Sequence, residues 1–204
     1  MSNSPSPIQA APDAARRPFR VAFFLVPGFS LMALSSAVEP LRAVNRLLGD
    51  KRFEWVVIGR AAGPVAASNG LEVKAACAIA SAPPADLTIV VASLDVETYR
   101  DHALFEHLRR LRAQHRLIGA ISNGTLILAR AGVLGGRRVT IHWEMQGPLM
   151  AEFPDLDVCP NLYCWDLDVM TAAGGSAAMD MMLELIAVRD GRETAVDVSE
   201  QFLH

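Results

Sequence analysis

The chain has 204 residues, 51% of them hydrophobic, enough to bury a full core and most simply to form one domain. Its formal net charge of -3 argues against a chain that grips nucleic acid by itself, because phosphate binding needs a concentrated cationic face. No run approaches the roughly 20 apolar residues of a bilayer span, so no membrane contact is expected.

Residues 1–18, MSNSPSPIQAAPDAARRP, carry Pro, Ser and Ala without an apolar block, which reads as a flexible leader and not as a signal peptide. A soluble, cytoplasmic domain over 19–204 is therefore expected. FRVAFFLVPGF opens on an apolar run from Val21 to Val26, the pattern of a strand buried on both faces, ending in Pro27-Gly28. LMALSSAVEPLRAVNRLL has helical spacing, and Pro40 inside it predicts a kink or an early break near Glu39. FEWVVIG reads as a strand, PVAASNGLEVKA as a hairpin around Asn69-Gly70, and DLTIVVAS as a third buried strand. VETYRDHALFEHLRRLRAQH predicts an amphipathic helix over 97–115, either a solvated face or a dimer surface.

RLIGAIS then reads as a strand, GTLILARAGVL as a helix, RRVTIHWE as a short strand and MQGPLMAEFP as a short helix. DVCPNLYCWDLDVMTAAG holds one or two strands, and SAAMDMMLELIAVRDG a strong helix after Gly174-Gly175. RETAVDVSEQFLH is an amphipathic segment that stops without a cap or a breaker, as expected of a piece cut from a longer chain. Strands alternating with helices, with continuous apolarity in the strands, predict a doubly wound α/β fold with a largely parallel sheet. The three cysteines, Cys77, Cys159 and Cys164, are odd in number and lack C-x-x-C spacing, so reduced, mostly buried thiols are expected and neither a disulfide framework nor a metal site is.

In such sheets ligands bind outside the carboxyl ends of the strands. Four of those ends carry unusual sequences: Pro27-Gly28-Phe29, Ser93-Leu94, Ser122-Asn123-Gly124-Thr125 and His142-Trp143-Glu144. Ala120-x-Ser122-x-Gly124 is a relaxed form of the nucleophile elbow, in which small flanking residues permit a strained strand-to-helix turn. Ser122 is then either a nucleophile, with His142 as base and Glu144 or Glu39 to orient it, or the N-cap of the following helix. Glu39 is either a solvated helix residue or a buried acid facing the cleft, and the kink expected at Pro40 favours the cleft. His142 is a base or a core histidine, and Trp143, Trp165 and Tyr163 belong to the core or to an aromatic cage.

Three segments in fixed order carry a resemblance: VPGFSLMALSSAVEPLRAVNRL, the elbow followed by LARAGVLGGRRVTIHWE, and TAAGGSAAMDMMLELIA. Together they resemble the N-terminal sensor domain of AraC-type transcriptional regulators that carry a class I glutamine-amidotransferase-like, PfpI-like module with a flavodoxin-like fold. The resemblance covers residues 19–204. It implies that VSEQFLH precedes a linker to a pair of helix-turn-helix motifs, absent from this chain, through which DNA would be bound.

In the enzymes of that superfamily the elbow residue is a cysteine, assisted by a histidine and by a glutamate from the first helix. The matching positions are Ser122, His142 and Glu39. The glycine-rich oxyanion loop corresponds to Ser93-Leu94, without a Gly-Gly pair. These two departures imply a non-catalytic, cofactor-free, homodimeric effector-binding domain, the alternative being a hydrolase or glyoxalase-like enzyme that uses Ser122. The subgroup resembled regulates catabolism of arginine, glycine betaine, carnitine and related amines, which implies an effector such as glycine betaine, carnitine, choline, dimethylglycine or arginine. Backbone N–H groups of Asn123, Gly124 and Thr125 would receive an anionic end, and Glu39 with Trp143 or Phe29 a cationic one.

Overall fold

The computed structural model describes residues 17–204; all but the last two residues of the expected leader lie outside them. In chain order the first half forms β1 (Phe19–Leu25), α1 (Leu31–Leu48), β2 (Phe53–Gly59), β3 (Gly63–Ala66), β4 (Glu72–Ala75), β5 (Cys77–Ala78), β6 (Leu87–Ala92) and α2 (His102–Ala113). The second half forms β7 (Leu117–Ser122), α3 (Gly124–Ala131), β8 (Arg138–Val139), α4 (Trp143–Glu152), β9 (Asp157–Val158), β10 (Tyr163–Asp166), β11 (Val169–Ala172), α5 (Ala177–Asp190) and α6 (Arg192–Gln201).

Seven strands form one sheet in the order β10-β11-β7-β6-β1-β2-β5. Every neighbour in it is parallel except the β10–β11 pair. The chain steps from β1 to β2 on one side, then crosses to β6, β7 and β11 on the other. That reversal between β1 and β6 opens a crevice at the carboxyl ends of the strands, the usual place for a ligand in this architecture.

Continuous apolarity has a direct cause. Val21, Phe23 and Leu25 enter the core layer that contains α1, α5 and α6, whereas Ala22, Phe24 and Val26 enter the opposite layer with α2, α3 and α4. A strand covered on both faces has no polar side to show.

Three expectations are corrected. Helix α1 continues unbroken through Pro40. Proline forfeits only one ladder hydrogen bond there, and Ala37, Pro40, Leu41 and Val44 are all buried against the core, so packing outweighs the local penalty. Helix α2 starts at His102, not at 97, because the Asp101 carboxylate accepts from Leu104 N–H at 3.1 Å and fixes the N-cap. The segment 157–172 holds three strands, since β9 pairs with β8 while β10 and β11 form an antiparallel hairpin.

At the amino ends of the strands, carboxylates are tied to arginines. Asp86 accepts from Arg17 at 2.6 and 2.7 Å and from Arg20 N–H at 2.9 Å. Asp168, just before β11, is bound by Arg112 and by Arg137, the latter at 3.0 Å. Burial pushes both carboxyls up, but the hydrogen bonds from these arginines outweigh it and hold each below the ordinary carboxylate value. Among the described residues, no helix is long and apolar enough to cross a membrane.

Candidate functional site

Strand β7 ends at Ser122 with φ of 58°, a left-handed conformation that costs a non-glycine residue about 1–3 kcal/mol. The elbow expected from the sequence is therefore present as backbone geometry. Gly124 makes the turn possible: a Cβ there would lie 2.4 Å from the Val90 carbonyl oxygen and 3.3 Å from the Ala120 side chain. Small residues two before and two after the serine thus answer to close packing of α3 on β6 and β7.

Ser122 itself is only 4% exposed. Its roof is Gly174, where a Cβ would lie 2.9 Å from Ser122 Cβ and 3.1 Å from its Oγ. Among the described residues its hydroxyl has no hydrogen-bond partner, and in particular none from His142 or Glu39. Nor does it cap α3. The N-cap is Asn123, without a side-chain cap bond, because at the turn the serine still belongs to the strand.

The surrounding backbone is largely committed. Asn123 N–H donates to Ala92 O at 3.2 Å, which removes one of the three donors expected to receive an anion and leaves those of Gly124 and Thr125. The Asn123 side-chain amide donates to Ser93 O at 2.7 Å, while its Oδ1 is buried without a partner. Thr125 is fully buried and donates through its hydroxyl to Thr140 O at 2.8 Å. Leu94 N–H, at the position of the oxyanion loop, is spent on Gly28 O at 3.3 Å, while the Leu94 side chain is exposed. That N–H is therefore not free to stabilise a developing oxyanion.

Other candidates separate from the elbow. Phe29 is fully buried in the core beside α1, so it belongs to packing and not to a cage. Glu39 lies nine residues beyond the Ser30 cap, about 13 Å along α1 at 1.5 Å per residue. Its carboxylate is 43% exposed and paired with Arg42 at 2.7 Å. It is neither a buried acid nor a cleft residue, because α1 runs back over the sheet from the carboxyl edge and carries no acid in its first turn.

His142 is the N-cap of α4, with its Nδ1 3.4 Å from Glu144 Oε2. Trp143 follows it, 72% exposed, its ring 5.8 Å from the imidazole. The pair is therefore open to solvent, whereas Trp165 and Tyr163 pack against the core. Burial, with Cys159 beside it, pushes the Cys164 thiol up to about 12, so it is no alternative nucleophile at neutral pH. All three cysteines are free, and only Cys77 is partly exposed. Among the described residues no cluster of three or more His, Cys, Asp or Glu is placed to hold a metal ion.

Sequence reasoning missed Gly174 as the roof of the serine, and with it the bracing threonines. Thr140 N–H donates to the buried Thr171 hydroxyl at 2.9 Å, and Thr140 Oγ donates to Asn161 O at 2.7 Å. The Gly-Gly pair before α5 was a visible signal of close approach. Lone threonines in apolar segments were a weaker one.

The profile of the DJ-1/PfpI family matches residues 19–188. The HTH-type transcriptional regulator CdhR of Pseudomonas aeruginosa is 42% identical over 181 residues, 89% of this chain and 54% of that protein. Isonitrile hydratase of Pseudomonas putida is 30% identical over 135 residues, 65% of this chain and 58% of that protein. Among solved structures, an AraC family transcriptional regulator from Pseudomonas putida superposes with a TM-score of 0.82 at 28% identity, covering 91% of this chain and 100% of that one. The chain spans about half the length of the curated regulators it matches. Regulators and an enzyme are thus both among the proteins that this chain is similar to, and on the family match, the sequence identity and the fold together, the chain belongs to the DJ-1/PfpI family.

Proposed function

We propose that this chain is a non-catalytic, effector-binding domain of a cytoplasmic AraC-type transcriptional regulator, working as a homodimer and acting on DNA through a separate helix-turn-helix part. The observation that carries it is Ser122: strained into the elbow, roofed by Gly174 and given no base. A serine without a base is a poor nucleophile because its pKa is high. Identity to CdhR, a transcriptional regulator by name, and the likeness to an AraC family structure support the regulatory reading. Effector binding would bias one dimer arrangement by its differential affinity for the two states.

The effector is a small amine or amino-acid-like metabolite held at the carboxyl edge. Its carboxylate meets the Gly124 and Thr125 N–H groups at the start of α3 and the unpaired Ser122 hydroxyl. Its cationic end meets the exposed face of Trp143, an attraction of about 0.5–2 kcal/mol, with the neighbouring Glu144 in place of Glu39. The orphaned Asn123 Oδ1 favours an effector that carries an N–H or O–H, because an unpaired buried acceptor costs about 1–3 kcal/mol until a donor reaches it. Glycine betaine, which has neither, therefore ranks below arginine, dimethylglycine, carnitine and choline. Calorimetry against these five tests the reading, and millimolar concentrations of all five without binding would overturn it.

The elbow backbone and the identity to isonitrile hydratase favour a second reading, an enzyme that uses Ser122. Wild-type turnover of isonitriles, small amides, esters or methylglyoxal that disappears in Ser122→Ala would establish it against the first.

A further inference from the structure

Below α2, away from the elbow, lies a cavity of about 210 Å³ lined by residues of β1, β2, β6, α2 and the loop at 82–85. Ala22, Ile58, Pro83 and Leu111 supply apolar wall, and Thr88, His107, Arg110 and Gln114 supply the polar groups. No carboxylate lines it. Thr88 is four residues before the end of β6, about 13 Å from the elbow plane at 3.3 Å per residue.

Two of these polar groups keep donor capacity. Thr88 is 2% exposed and lines the cavity, and among the described residues its hydroxyl has no hydrogen-bond partner, which leaves it able to donate to a bound molecule. Arg110 has no carboxylate partner among the described residues, in contrast to the paired arginines at the amino ends of the strands. Its guanidinium lies 3.4 Å from His107 Nδ1. Since a guanidinium only donates, Nδ1 is the acceptor there and the imidazole proton sits on Nε2. Burial first, and then the Arg110 charge, pull the His107 pKa down, so the ring contributes a neutral N–H at pH 7.

The lining therefore combines a cation without a carboxylate partner among the described residues, donors from a hydroxyl, an imidazole and an amide, an apolar wall and no acid. We infer that this cavity is a second binding site, for a small monocarboxylic acid with a compact apolar body, whose carboxylate sits on Arg110 and Thr88 and whose body sits between Pro83 and Leu111. Size agrees, since an enclosed cavity of about 150 Å³ holds benzene, and 210 Å³ leaves room for a ring and a carboxylate. The cavity is separate from the carboxyl-edge site, and the inference holds whether or not the sensor reading does.

Benzoate is the probe and benzamide its neutral counterpart. Amide chemical-shift titration of the wild-type chain should show saturable benzoate shifts at Thr88 and Leu111, with Gly124 and Thr125 unmoved. Benzamide should bind about tenfold more weakly, having lost the charge-assisted bond. Arg110→Gln, a change at an exposed position, should weaken benzoate about tenfold and erase its advantage over benzamide. Thr88→Val, close to isosteric and suited to a strand, should weaken it about fivefold. Absence of saturable shifts at millimolar benzoate overturns the inference. So do equal affinities for benzoate and benzamide, unchanged binding in both variants, or shifts confined to Gly124 and Thr125, which would place the acid at the elbow.

Discussion

The two ends of the parallel strands treat polar groups in opposite ways. At the amino ends, Asp86 and Asp168 are bound by arginines drawn from several elements, and these charges are spent on holding strands and loops together. At the carboxyl ends, Asn123 Oδ1 is buried without a partner, the Ser122 hydroxyl has none among the described residues, and a tryptophan stands exposed. One end is built for stability, whereas the other keeps groups in reserve at a cost in strain and unsatisfied polarity. That asymmetry, more than the elbow alone, marks where a ligand would bind. Arg110 has no carboxylate partner among the described residues, in contrast to Arg17, Arg112 and Arg137, which is why the cavity beside it stands out.

The contrast is most severely tested where the carboxyl edge is tightest. Gly124→Ala would drive a Cβ to 2.4 Å from Val90 O, and should cost on the order of 3 kcal/mol in denaturant unfolding; a variant as stable as the wild type would mean that α3 does not sit on β6 as described. Gly174→Ala combines φ of 117° with the 2.9 Å approach to Ser122 Cβ, for a loss of about 2 kcal/mol. Adding Ser122→Gly should return part of it, and strict additivity in that double-mutant cycle would remove Gly174 from its place as the roof.

At the amino end, Asp168→Asn should cost about 2 kcal/mol at neutral pH by discarding charge-assisted hydrogen bonds from Arg112 and Arg137. Because the folded Asp168 carboxyl lies below its ordinary value, its stabilisation is complete above about pH 4 and drains away as pH falls through the lowered value. The variant should lack that share of the acid-side loss in thermal melts. Smallest in stability, but not in function, is Trp143→Ala. With the side chain 72% exposed, the melting curve should move by no more than about 0.5 kcal/mol, while affinity for a cationic effector should fall about tenfold. Equal affinities would place the cation elsewhere.

Much of the fold was legible because its signals are local and redundant. Val21 to Val26 read as a strand buried on both faces, and β1 divides those residues between two core layers. The Asn69-Gly70 hairpin followed from turn chemistry, with Gly70 at φ of 85°. Where local rules misled, tertiary packing had overridden them, as at Pro40, whose burial against the core keeps α1 whole.

The elbow was legible for a similar reason, since Ala120, Ser122 and Gly124 are spaced by the turn itself. Its surroundings were not. Gly174 comes to Ser122 from 52 positions along the chain, and no spacing argument locates such a contact. Glu39 was placed by homology of role, yet a helix carries it about 13 Å from its own start, and its partner Arg42 was only three residues away. Phe29 sits on a loop at the carboxyl edge, but its side chain turns inward to the core, a direction that sequence leaves open.

On the proposed function, the carboxyl-edge site binds a small amine without converting it. Isothermal titration of the chain with dimethylglycine, with the ligand recovered afterwards for NMR, tests that claim most directly. Saturable binding that Ser122→Ala and Trp143→Ala each weaken is expected, with the ligand recovered unchanged. A ligand recovered chemically altered by the wild type but not by Ser122→Ala would contradict it.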